Sequence, residues 1–452
     1  MKKIYSVVFL LATVLSWSSC THEEDDIFDH SAAERLNQVS AIYTQRLCDS
    51  PGGWVMEYYP YTNNEDLVTG VGYLMMHRFH TNNAVYSLMK NKATSLAVMS
   101  DSSAWEVITD MGPVLTFNTY NNCLGRFSDP YDDTVLTPDK YDDESGKGLQ
   151  GDYEFVMVDV PEGGDHIMLK GKKRGIYQRL TRVPAGTDFE TYLDGIKNFN
   201  DTYFRSDARW EYRVTDNGKT YMMDRMHTGR PRVYPEGKDS VSYGWYAPYL
   251  ITYYNNQYHL RFKDTVMVEG KQMEQEYAYD ADADKFYGVQ NKENTIEGEV
   301  PAEFFYKNLS KGSSRRWEVS NDEAGMSEAM AQLIQNLTAD FKSLQCTFRT
   351  LSFVTKGDGV SLRVTFRQKT SNIQWNYLFS LEKEGDQVML KYLEPADESS
   401  TANLSKVPTL TDIFATLSQT FTVEAQKTRF DLNKVVLNSA DTNIKLTLTL
   451  YN

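Results

Sequence analysis

The chain has 452 residues, of which 41% are hydrophobic and 24% charged, with a formal net charge of −15. That apolar content is enough for globular cores, and the length suggests two or three domains. So large an acidic excess argues against nucleic acid or anionic lipid surfaces as partners, because phosphate binding is driven by Lys and Arg neutralisation.

Lys2 and Lys3 precede an uncharged run from Ile4 to Trp17, followed by Ser18, Ser19 and Cys20. A basic start, an apolar middle and small residues make the layout of a secretory signal. The run falls short of the roughly 20 apolar residues of a membrane-spanning helix. Small residues followed by cysteine resemble the bacterial lipobox, with Trp17 at a position that is usually aliphatic. Residues 1–19 are then expected to be a lipoprotein signal peptide, and Cys20 the lipidated N-terminus, with palmitate-type chains holding the protein at the outer membrane. Glu23, Glu24, Asp25 and Asp26 lie in an acidic tether over residues 20–30, since a block of like charges repels itself and stays extended. The same four acids resemble the surface-export signal of Bacteroidetes-type lipoproteins, which implies exposure on the cell surface. Loss of Lys2 and Lys3 with the signal takes the formal charge from −15 to −17.

Ser31-Ala32-Ala33-Glu34 has the capping-box spacing, and Leu36, Val39, Tyr43 and Leu47 recur at helical intervals until Pro51-Gly52-Gly53. Short alternating or apolar runs follow at Trp54 to Tyr59, Tyr73 to Phe79, Val114 to Tyr120, Tyr153 to Val158 and Ile167 to Lys170, the texture of antiparallel strands. A second box, Thr187-Asp188-Phe189-Glu190, opens a helical stripe through Phe189, Tyr192, Ile196, Phe199 and Tyr203. Strands return at Ala247 to Tyr254, Tyr258 to Lys263 and Glu274 to Tyr279. Further helices are expected from Met326 to Leu344 and from Leu410 to Phe421, and the chain ends on the alternating strand Ile444 to Leu450. The expected fold is α+β and predominantly antiparallel β, in curved-sheet, partial-barrel or sandwich units each closed by a helix. The expected domains are residues 31–185 and 187–452, the second being either one unit or two, 187–322 and 323–452.

Four groups of residues carry a family resemblance: Asp25 to Leu36; Gly53-Trp54 with Glu57 to Pro60; Gly112 to Leu115 with Phe127 to Pro130; and Leu169 to Gly175. They resemble an uncharacterised family of Bacteroidetes lipoproteins known as a domain of unknown function. The resemblance implies association with surface nutrient-uptake systems that pair a TonB-dependent transporter with a partner lipoprotein of the starch-binding type. It transfers no catalytic residue.

The candidate chemistry is sparse. His77 and His80 are three apart, which puts them on opposite faces of a strand. Zinc-protease, nucleophile-elbow and Cys-x-x-Cys signatures do not occur. Asp280, Asp282 and Asp284 begin like a calcium loop, but Lys285 and Asn291 occupy the positions of its glycine and its last glutamate, so an acidic hairpin is expected. A longer acidic stretch holds Asp129, Asp132, Asp133, Asp139, Asp142, Asp143 and Glu144, which could take calcium or a basic peptide, a solvated loop being the default. Cys48, Cys123 and Cys346 are too few and too widely spaced for a disulfide framework. No cofactor and no metal site is expected. Aromatic residues cluster from Trp54 to Tyr61 and from Trp245 to Tyr254, and although strand aromatics mostly build cores, Trp245, Tyr246 and Trp54 are the candidate ligand-binding residues. The expected function is that of a non-catalytic, lipid-anchored surface protein that binds a glycan or peptide nutrient beside a TonB-dependent transporter. The alternative is a surface glycosidase or peptidase with carboxylate chemistry.

Overall fold

The computed structural model describes residues 31–60, 71–110, 112–129, 149–204, 211–320 and 325–452. Among the described residues, short β-rich runs with tight turns resolve into two closed barrels, one long curled sheet and a two-stranded hairpin, built on antiparallel pairs. The chain packs as two compact units, one of Met1–Met56, Met75–Leu88 and Met99–Gly186, the other of Glu57–Leu74, Met89–Val98 and Thr187–Asn452. Among the described residues no helix is long and apolar enough to cross a membrane.

The first barrel runs in sequence order through β1 (Trp54–Tyr58), β2 (Tyr73–Phe79), β3 (Ala84–Met89), β4 (Met99–Thr109), β5 (Pro113–Phe117), β6 (Glu154–Asp159), β7 (His166–Gly171) and β8 (Tyr177–Arg182). The helix Ala32–Cys48 packs on β4 and β5. Its capping box forms as the spacing predicts: Glu34 N–H donates to Ser31 Oγ at 3.3 Å, and Ser31 N–H to Glu34 Oε2 at 3.0 Å. A second helix, Asn122–Ser128, was not visible in the apolar pattern. Its N-cap Asn121 accepts from Cys123 and Leu124 N–H, while its side-chain amide donates to Ser87 Oγ and Ser103 Oγ at 3.1 and 3.0 Å. Ser87 also meets His77 Nδ1 at 2.9 Å, so a chain of polar side chains is buried in the barrel.

The long sheet contains β9 (Tyr212–Asp216), β10 (Lys219–Asp224), β11 (Arg232–Pro235), β12 (Trp245–Tyr246), β13 (Tyr249–Tyr254) and β14 (Gln257–Phe262); β15 (Met267–Val268) and β16 (Lys271–Gln272) form a separate hairpin, and β17 (Glu276–Asp280), β18 (Lys285–Gly288) and β19 (Thr295–Glu297) complete the sheet. Asn217-Gly218 and Asn255-Asn256 turn the hairpins with positive φ at both positions, the geometry that suits strand twist. The strand order is β12-β11-β10-β9-β19-β18-β17-β14-β13. Its two edge strands, β12 and β13, are therefore separated by only Ala247 and Pro248 in the chain, and so short a link forces the sheet to curl into a half-barrel. Backbone bonds from Ala247 N to Pro231 O and from Tyr249 N to Gly229 O draw the two edges together. The helix Phe189–Tyr203 lies on β13, with Tyr192 Oη donating to Tyr253 O and accepting from Tyr253 N–H, which satisfies an edge backbone that would otherwise be open. Its N-cap is Asp188, one residue later than the sequence box suggested.

The last barrel is built from β20 (Arg316–Val319), β21 (Cys346–Lys356), β22 (Gly359–Gln368), β23 (Ser371–Glu384), β24 (Gln387–Pro395), β25 (Thr420–Ala425), β26 (Lys434–Ser439) and β27 (Ile444–Tyr451). The alternating C-terminal run is β27, which closes the barrel by pairing with both β26 and β20. The helix Glu328–Ser343 covers β21 with Met330, Leu337 and Phe341 buried. The helix expected to reach Phe421 ends at Leu417, and Phe421 instead fills the barrel from β25. An α+β chain dominated by antiparallel barrels with covering helices is thus the architecture.

Candidate ligand-binding site

A cleft of about 800 Å³ opens within the second unit. Its floor is apolar because a helix and a strand both line it with apolar side chains. Leu193 and Ile196 come from the buried stripe of the helix Phe189–Tyr203, and Tyr249, Leu250 and Ile251 come from β13. Gly72 permits the strand entering β2 to approach, since a Cβ there would sit 2.6 Å from Leu250 Cδ1 and 2.5 Å from Tyr59 Cε1. The polar wall is the turn Lys90-Asn91-Lys92. Lys90 Nζ lies 2.9 Å from Glu190 Oε1 and 2.8 Å from Asp194 Oδ1, fixing the turn to the helix. Hydrogen bonding to Asp194 and then Glu190 raises the Lys90 pKa. Asn91 Nδ2 donates to Leu74 O at 3.2 Å. Among the described residues that line the cleft, Asp201 is the one carboxylate, and it pairs with Lys197. An apolar floor with a few fixed polar groups is the usual form of a small-molecule or polymer-end binding site.

The segment Met226 to Gly229 lines one side of this cleft and continues into Arg230 and Arg232, beside the edge strand β12. The register sets Tyr246 opposite Arg232 and Trp245 opposite Val233. Consecutive strand residues face opposite ways, so the two expected ligand residues do not share a platform. Both are exposed, Trp245 at 38% and Tyr246 at 51%. Tyr246 gathers cations: Arg232 Nη2 donates to its hydroxyl at 2.8 Å, and the guanidinium carbons of Arg230 and Arg232 stand 4.5 and 5.0 Å from its ring centroid. The Arg232 hydrogen bond, with the charges of Arg232, Arg230 and Arg225, pulls the phenol below the ordinary tyrosine pKa. Arg232 is steadied further by Ser240 O at 3.3 Å, at the start of a short helix capped by Asp239. Val241 and Tyr243 extend the exposed apolar surface there.

Trp54 lies elsewhere. It is fully buried, its indole N–H donates to Leu47 O at 2.9 Å, and Arg182 stacks 5.0 Å from its ring, so it offers no face to a ligand. Its packing at the start of β1 explains why an aromatic run there is core. Cys20, Glu23, Glu24, Asp25 and Asp26 fall outside the described residues, as does the acidic stretch beyond Asp129. His77 is buried and His80 exposed, so the pair does not converge. Asp280 and Asp284 serve a β17–β18 hairpin: Asp280 Oδ1 accepts from Asp282 and Ala283 N–H, and Asp284 accepts from Tyr279 Oη, Thr428 Oγ1 and Arg429 N–H. Among the described residues no cluster of three metal-ligating side chains occurs. Among the described residues Cys48, Cys123 and Cys346 form no disulfide. Glu211 and Glu299 come close to one another, but Lys307 bridges them at 3.5 and 3.1 Å, and burial raises the Glu299 pKa. The arginine cluster was not singled out from the sequence; its signal is a local basic excess, Arg225, Arg230 and Arg232, in a strongly acidic chain.

No curated protein matches the sequence. Among solved structures, the DNA polymerase III β chain of Streptococcus pneumoniae TIGR4 is similar at 12% identity over 91% of this chain and 98% of that one, with a TM-score of 0.13. Intact Ap-TbpB, with N and C lobes, aligns at 7% identity over 88% and 75%, TM-score 0.14. A tryptophan-to-alanine mutant of transferrin binding protein B from Haemophilus parasuis Hp5 aligns at 7% over 88% and 74%, also with a TM-score of 0.14. Scores this low carry no inference about fold or function. Residues 24–280 match the family described as domain of unknown function DUF4302. That match runs from the acidic segment to the end of β17 and leaves the last barrel outside. Covering more than half of the chain, it places the protein in the DUF4302 family.

Proposed function

We propose that the protein is a non-catalytic, lipid-anchored lipoprotein of the outer-membrane surface that binds a polymeric nutrient, glycan or peptide, beside a TonB-dependent transporter and its partner lipoprotein. The observation that carries the binding role is the cleft itself: about 800 Å³, floored by Leu193, Ile196 and Ile251, and continuous in the chain with the exposed Tyr246 edge. The lipobox-like Cys20, the acids Glu23 to Asp26 and the resemblance to Bacteroidetes lipoproteins support the location. Hydrolysis of a glycosidic bond needs two carboxylates facing across the bond, roughly 5–10 Å apart. Among the described residues that line the cleft Asp201, paired with Lys197, is the one carboxylate, and the apolar floor favours binding over the hydrolase alternative.

The location and the partnership are tested by purifying the tagged full-length protein from mild-detergent outer membranes. Recovery with a TonB-dependent transporter supports the reading; recovery alone, or in the soluble fraction, removes the uptake role. Binding is tested by titrating glycan and peptide polymers against wild type and Leu250→Arg. A polymer held by wild type and lost by the variant supports the cleft, and equal binding by both places the ligand elsewhere.

A further inference from the structure

We infer that the Arg225, Arg230, Arg232 and Tyr246 cluster is an anion-reading subsite that selects acidic polysaccharide, with uronate or sulfate groups, as the polymer bound. The inference rests on the binding role proposed above and narrows its ligand class. Two guanidinium groups, Arg230 and Arg232, stand over one exposed phenol, with the charge of Arg225 also acting on it, in a chain whose formal charge is −15. Arg232 makes no ion pair among the described residues: its guanidinium is held by two neutral oxygens, Tyr246 Oη and Ser240 O, and so keeps its charge for a ligand. Arg225 is exposed, and among the described residues its one ion pair is the weak one to its neighbour Asp224 at 3.9 Å. Because Tyr246 Oη accepts from Arg232, its own proton is free in direction and can be donated to a ligand anion. Guanidinium forks match carboxylate and sulfate geometry, and such charge-assisted bonds are the strong ones.

A glycan fits this place better than a peptide. Peptides commonly recognise a sheet by adding a strand to its edge. Here the edge strand β12 is only two residues long, bounded by Gly244 and by Pro248 two residues on, so it offers little backbone to pair with. Recognition must then use side chains: the arginines and phenol for charge, with the exposed Tyr243 ring close in sequence for an apolar sugar face. Thr228 and Gly229, which line the cleft, lead directly into Arg230, so one polymer end can occupy the cleft while an acidic residue along it meets the arginines.

The test uses the full-length protein and two matched pairs of probes, polygalacturonate against its methyl ester and dextran sulfate against dextran, with poly-L-glutamate as the peptide probe. At least one charged glycan is expected to bind about tenfold or more tightly than its neutral counterpart, the size of one lost charged hydrogen bond. The affinity should fall with added salt. Arg225→Gln, which removes a side chain with little structural role, should weaken that binding several-fold without changing thermal stability; Arg232→Gln should weaken it further. The pair whose charged member binds tells carboxylate from sulfate. Equal binding of charged and neutral glycans overturns the charge selection and leaves the binding role standing. Poly-L-glutamate as the tighter ligand overturns the glycan assignment in favour of a peptide. Failure of every probe overturns the inference together with the polymer-binding role, unless a neutral peptide polymer binds, in which case only the inference falls.

Discussion

Lowering the pH from 7.5 to 5 should destabilise the first barrel through one residue. His77 is fully buried, its Nδ1 held by Ser87 Oγ at 2.9 Å and its ring set against Phe117 with centroids 5.5 Å apart. Burial disfavours the imidazolium and pulls its pKa down to about 3 from an ordinary 6.5. An unfolded chain takes up the proton near pH 6.5, whereas the folded one resists it until pH approaches 3. Between those values the unfolded state binds more protons, so stability falls as pH falls, by about 1.4 kcal/mol for each pH unit. From pH 6.5 to 5 the loss is about 2 kcal/mol; above 6.5 the contribution is fully present. Urea unfolding followed by tryptophan fluorescence at pH 7.5 and 5.0, on wild type and His77→Gln, isolates it, because every other titrating group is common to both proteins. Wild type should lose about 2 kcal/mol more than the variant. Equal losses in the two proteins would refute the idea that a neutral, desolvated imidazole is part of this barrel.

Two further perturbations follow from the packing. Arg261 Nη1 meets the fully buried Glu57 at 2.8 Å, so Arg261→Ala should cost about 3–5 kcal/mol in a denaturant melt, and the joint change to Glu57→Leu and Arg261→Met should recover most of it. A Cβ on Gly298 would stand 2.0 Å from Arg429 O, a backbone atom that cannot rotate away; Gly298→Ala should lower stability by about 1–3 kcal/mol or more, read from the thermal midpoint.

Where apolar periodicity was strong, the elements could be read from the sequence: the helix stripe ending at Tyr203 and the last strand β27 lie where the pattern put them. β4 was missed because Met-Ser-Asp-Ser-Ser-Ala-Trp reads as polar. Its buried positions are Ser103 and Trp105, and Ser103 is there to receive Asn121, a residue that also caps the following helix. A buried polar network erases the contrast that periodicity depends on. The helix ending at Leu417 was drawn too long for the opposite reason, since Phe421 continues the apolar pattern but does so from a strand. For the site, Trp245 and Tyr246, named as candidates from their aromatic cluster, are exposed. Their opposite facing, the burial of Trp54 and the gathering of Arg230 and Arg232 over one phenol depend on strand register and on contacts distant in sequence. The cleft is likewise assembled from segments near 72, 90, 193, 227 and 250, which no local pattern connects.

Amide hydrogen exchange of the full-length protein, with and without the tightest-binding polymer, tests the binding site most directly. The account predicts slowed exchange in Val71–Leu74, Met226–Arg232 and Trp245–Ile251, with the last barrel unchanged. Protection confined to the last barrel, or none at saturating polymer, would contradict it.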